Sequence, residues 1–99
     1  MANIKAIEKR VEDINAMIAE ANRNGISVID TSSTWQTPMK YNQLKYSRGI
    51  LYVTYKELDL YAYAKGRGMK WEKRSERYGA SDVRYVLTDI ARMYRRALK

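Results

Sequence analysis

The sequence contains no cysteine and no histidine. Without cysteine it can build neither a disulfide framework nor a thiolate metal site. Without histidine the usual zinc and iron ligand sets are closed as well, leaving only carboxylate sites for hard cations. Those need clustered acids, and the eleven Asp and Glu residues are scattered. The same absences remove imidazole bases and thiolate nucleophiles, so Ser47, Ser75 and Ser81 have no histidine to activate them. No stretch approaches the roughly 18 consecutive apolar residues of a membrane span. The opening MANIKAIEKRVEDINAM carries charges through the part that a secretory signal would keep apolar. The expectation is a soluble, cytoplasmic chain with no metal, no cofactor and no membrane partner.

Phenylalanine is missing too, and Pro38 is the single proline. In place of phenylalanine stand nine tyrosines, two tryptophans and five methionines. A tyrosine joins an apolar ring to a hydroxyl that needs a partner, so these rings suit the edge of a small core. The rival reading is that some of them form a contact surface.

What is abundant is positive charge. The 99 residues carry a net +8, with 45% apolar against 30% charged residues, which describes one globular domain with a modest core. The charge is unevenly placed. Residues 65–99 hold eleven Lys and Arg against four acids, or +7, and the remainder holds eight against seven, or +1. Low molecular size and a Tyr-, Asn-, Lys- and Arg-rich composition without Cys and His suit a phage-encoded accessory protein, for which the cytoplasm would be that of the host cell.

Ile4, Ile7, Val11, Ile14, Ile18 and Ala21 recur at steps of three and four, which predicts an amphipathic helix over about 3–24. Asn3 would cap it and Asn24-Gly25 would end it. The stripe also fits about three heptads, so Ile4, Ile7, Val11, Ile14 and Ile18 could form a homo-oligomer seam as well as a core face. A β-branched run at 26–30 reads as a short strand. The polar stretch around Pro38 then reads as a connection, with Trp35 as a lid over the core or an exposed contact. Ile50-Leu51-Tyr52-Val53 reads as a second strand that could pair with 26–30. Thr54 and Glu57 have the spacing of a capping box, predicting a short helix over about 55–65 that stops at Gly66. Residues 70–78 read as either a strand or an irregular basic loop. A final helix over about 82–98, capped by Ser81, has an apolar face from Val83 to Leu98. The fold class expected is therefore α+β, mostly helical: two long helices, one short helix and a minimal two-stranded ribbon, in a single domain over 1–99.

Catalysis has little support. Gly66-Arg67-Gly68 lacks the spacing of a phosphate loop and would follow a helix rather than a strand. Asp82 and Asp89, seven apart, make a poor acid–base pair. Binding to nucleic acid is better supported. Lys65, Arg67, Lys70, Lys73, Arg74 and Arg77 would contact phosphates, with Trp71 and Tyr78 stacking on bases. Arg84, Arg92, Arg95 and Arg96 would extend that track along the last helix. The expected function is a non-enzymatic, largely sequence-nonspecific nucleic-acid-binding accessory protein, on DNA or RNA. Two alternatives use the same residues: a small inhibitor of a protein or complex that handles nucleic acid, and a structural subunit assembling through the 4–21 stripe. A solvated surface that only keeps the chain in solution is the plainest reading of the charge, and the clustering argues against it.

Overall fold

The apolar stripe of the first segment winds into helix α1 (Ile4–Arg23), which buries Ile7, Val11, Ile14, Ile18 and Ala21. The computed structural model describes residues 4–29, 38–58 and 75–99. At the end of α1 the Ile26 N–H donates to the Ala21 carbonyl (2.9 Å) and the Gly25 N–H to Asn22 (3.2 Å). Gly25 has φ +67°, the left-handed step that this pair of bonds requires. The stripe considered as an oligomer seam lies inside the chain's own core, except for Ile4, which is 59% exposed.

The expected two-stranded ribbon is in fact a five-stranded antiparallel sheet: β1 (Val28–Ile29), β2 (Pro38–Tyr41), β3 (Lys45–Ser47), β4 (Ile50–Leu58) and β5 (Ser75–Tyr78). β4 is its axis. β3 and β4 form a hairpin across Arg48-Gly49, both with positive φ (52° and 78°), as a two-residue turn between right-twisted strands needs. β2 continues β3 along the same edge of β4. Met39 faces Leu58 and, six residues on, Lys45 faces Tyr52, the register of one continuous strand. Between them the pairing slips and recovers. Tyr41 faces Tyr55, so β4 carries one extra residue at Lys56, and the segment 42–44 carries one extra in return. β5 pairs with the other edge of β4, and β1 pairs with β2.

Three expectations are corrected here. The short helix over 55–65 begins on residues that are strand: β4 runs through the supposed capping box to Leu58. Leu51, Val53 and Tyr55 are buried while Tyr52 and Lys56 are exposed, so a two-residue period governs the stretch, and ladder pairing on both edges outweighs a local capping signal. Residues 59–65 lie outside the described ones. The strand after α1 pairs with Pro38–Tyr41 rather than with 50–53, so part of the expected connection is strand. Pro38 is tolerated because it opens that strand. The rest of that connection, Trp35 included, lies outside the described residues.

Helix α2 (Val83–Ala97) follows a turn in which the Val83 N–H donates to the Gly79 carbonyl (3.1 Å). Ser81 does not cap it. The cap position is Asp82, which makes no side-chain cap bond because its backbone is already helical (φ −105°, ψ −19°). Both helices cover one face of the sheet. Tyr94, Leu87, Ile90 and Val83 from α2 join Ile14 and Ile18 from α1 over Leu51, Val53, Val28 and Tyr41.

Candidate nucleic-acid interface

Strand alternation divides the side chains of the sheet into two sets. Met39, Tyr41, Leu51, Val53 and Tyr55 point to the helices and are buried. Lys45, Tyr52, Lys56 and Arg77 point the other way and are exposed, with Lys40 half-buried beside them. No described element covers this outer face.

At its centre stands Tyr52, 36% exposed. Its partner on one side is Lys45 and on the other Arg77. Adjacent strands lie about 4.8 Å apart, so the three residues form a row across β3, β4 and β5 with a ring between two cations. Thr54 and Lys56 continue β4 beyond Tyr52, and Arg48 projects at the hairpin turn. Glu57 is the backbone partner of Lys40. Lysine and arginine beside an exposed ring supply phosphate contact and a stacking platform together.

The residues expected to make one cationic track are divided by this fold. Arg77 lies on the outer face of the sheet. Tyr78, its neighbour on β5, faces inward and cannot stack on a base at that face. Its hydroxyl donates to Glu76, and the Tyr55 hydroxyl reaches the other oxygen of the same carboxylate at 3.5 Å. These groups line a half-open cavity of about 280 Å³ under α2, together with Val86, Asp89, Ile90, Arg92 and Met93. Arg84, Arg92, Arg95 and Arg96 are exposed on α2, with Arg92 at the rim of that cavity and Arg96 beside Ser27 and Ile29. Lys65, Arg67, Lys70, Trp71, Lys73 and Arg74 lie outside the described residues. Lys40, Lys45, Arg48, Tyr52 and Lys56 were absent from the expected site. The signal that would have found them is the alternation of Leu51, Val53 and Tyr55, which forces Tyr52 outward.

Behind the row, the core fixes the strands that carry it. Tyr41 and Tyr55 pack at 4.8 Å between ring centroids, and the Tyr41 N–H donates to the hydroxyl of Tyr94 (3.3 Å). Burial pushes the Tyr94 phenol up to about 12, against a smaller opposing effect from that bond. Among the described residues no group of three or more acids could hold a metal ion. No described helix is long and apolar enough to cross a membrane. The chain matches no protein-family model, no curated protein and no solved structure.

Proposed function

We propose that this protein is a non-enzymatic nucleic-acid-binding accessory protein that holds single strands against the outer face of its sheet. The observation that carries the reading is the row Lys45–Tyr52–Arg77, an exposed ring between two cations on a sheet face that no described element covers. Tyr52 stacks on a base, and Lys45 and Arg77 hold the phosphates on either side, with Lys40, Arg48 and Lys56 widening the field. A π-face suits every base, so such contacts read little sequence. The net charge of +8 draws a polyanion toward the protein before any contact forms.

The test is fluorescence anisotropy of labelled single-stranded and duplex oligonucleotides at two salt concentrations. Binding that weakens steeply with salt and prefers single strands supports the proposal, as does a loss of roughly 1–3 kcal/mol in Tyr52→Ala. Absence of binding at low salt overturns it, and the same face then becomes a surface for an acidic protein partner.

A further inference from the structure

The two helices differ in what they show to solvent. α1 carries Lys5, Lys9, Arg10 and Arg23 against Glu8, Glu12, Asp13 and Glu20, and Lys9 pairs with Asp13 at 3.1 Å. Four cations meet four acids, so this surface is balanced. From Asp82 to the C-terminal Lys99, the α2 segment carries Arg84, Arg92, Arg95, Arg96 and Lys99 against Asp82 and Asp89. At 100° per residue, Arg84, Arg92 and Arg95 fall within one quarter of the helix circumference, Arg96 lies just beyond, and Lys99 follows the helix end. Tyr85, 74% exposed, stands on the same side of the helix.

Part of this richness has a local cause, because cations suit the last turn of a helix. Arg95 and Arg96 answer to that; Arg84, in the first turn, does not. It sits where a cation is disfavoured. Nearby, Arg10 donates from α1 to the Thr88 hydroxyl (3.1 Å), and that hydroxyl donates to the Arg84 carbonyl (2.8 Å). The cationic stripe therefore runs along the whole of α2 and is tied to α1 beside it.

The fold sets this stripe and the Lys45–Tyr52–Arg77 row on opposite sides of a two-layer slab, back to back across one core. From these opposed faces we infer that the protein bridges two nucleic-acid segments, one on the sheet and one along α2. This rests on the proposed sheet-face binding and goes beyond it. A flat strand path on the sheet cannot reach the α2 arginines without leaving the face, so the second site is available to a second segment. Its one exposed ring, Tyr85, stands at the N-terminal end of the stripe while the arginines run the length of the helix, which makes it chiefly an electrostatic site that holds phosphates. It fails first as salt rises.

The experiment immobilises one short single-stranded oligonucleotide and adds the protein with a second, fluorescent copy of the same oligonucleotide. Capture of the fluorescent strand reads bridging, and anisotropy in free solution reads simple binding. Wild-type protein captures the second strand at low salt. Replacing Arg84, Arg92, Arg95 and Arg96 together with Gln, which keeps helix propensity and leaves the core untouched, cuts capture at least about tenfold while simple binding persists. Tyr52→Ala weakens both. Binding without capture overturns the inference and leaves the sheet site standing, whereas no binding at all overturns both. Capture that survives the four substitutions, with the protein running as a dimer in light scattering, shows two sheet faces acting together and also overturns it.

Discussion

Asn15 on α1 and Leu44 in the gap between β2 and β3 exchange two hydrogen bonds: the Leu44 N–H donates to Asn15 Oδ1 (2.7 Å) and Asn15 Nδ2 donates to the Leu44 carbonyl (3.0 Å). A helix side chain thereby takes the place of a missing ladder partner. The far end of the gap is served likewise, with Asn22 Nδ2 donating to the Tyr41 carbonyl (3.0 Å) and the Tyr94 hydroxyl accepting from the Tyr41 N–H. Backbone groups that leave a ladder inside a protein must find other partners, and three side chains from two helices provide them.

Asn15→Ala removes both bonds and leaves the Leu44 amide and carbonyl without them. The expected cost is about 2–3 kcal/mol in urea unfolding, since each stranded group costs about 1–3 kcal/mol and Asn15 is only half-buried. An unchanged midpoint would mean that water replaces the side chain in full.

Tyr94 gives the fold a defined alkaline limit. Its phenol stays protonated up to about 12 in the folded protein, against an ordinary value of 10.0. Above pH 10 the unfolded chain gains stability by ionising while the folded chain cannot. Stability is therefore full below pH 10 and declines as pH rises toward 12. Tyr94→Phe removes that part of the decline. It also removes the hydroxyl that accepts from the Tyr41 N–H, at about 0.5–1.5 kcal/mol near neutral pH. Thermal melts of both proteins between pH 8 and pH 12 check the two effects together.

Arg48 holds a left-handed conformation (φ 52°) that disfavours most side chains. Arg48→Asn places Asn-Gly at the β3–β4 turn, the pair that such turns prefer. It should raise stability by up to about 1 kcal/mol while slightly reducing the salt dependence of nucleic-acid binding. A melting temperature that falls would contradict the turn geometry.

Lys45→Gln and Arg77→Gln each remove one cation beside Tyr52. In the proposed mode each lowers the slope of log affinity against log salt by roughly 0.7, the share of one single-strand phosphate contact. Tyr52→Ala changes affinity with little change in that slope. Slopes measured by anisotropy across a salt series separate the two roles.

The helices were legible in the sequence because their apolar steps of three and four persist for many turns, and Gly25 marks an end that few other residues could make. Most of the sheet was not. In Ile50-Leu51-Tyr52-Val53 the outward Tyr52 is itself aromatic, so the alternation reads as an unbroken apolar run. Thr54 and Glu57 then mimic a helix start at the point where the strand continues. β2 opens on a proline and β5 reads Ser-Glu-Arg-Tyr, whose inward Glu76 looks no more apolar than the outward Arg77. Pairing with β4 decides these strands, and pairing is not local. For the same reason the charge excess, compact in sequence, is split by the fold: Arg77 goes to one side and Arg84, Arg92, Arg95 and Arg96 to the other, while Lys45 and Tyr52 arrive from outside the basic third.

The interruption at 42–44 also bears on how the molecule assembles. The hairpin around Arg48-Gly49 closes over a short loop and can zip from its turn without help. Beyond Lys45 the regular pairing lapses: the Leu44 N–H and carbonyl bond Asn15 on α1, and the Asn42 N–H donates across to the Thr54 carbonyl (2.9 Å). Fixing the backbone of this segment draws on strand and helix partners together, so the sheet and the helix layer stabilise each other. The amides of Tyr41 and Leu44 thus report on helix docking although one ends a strand and the other adjoins one.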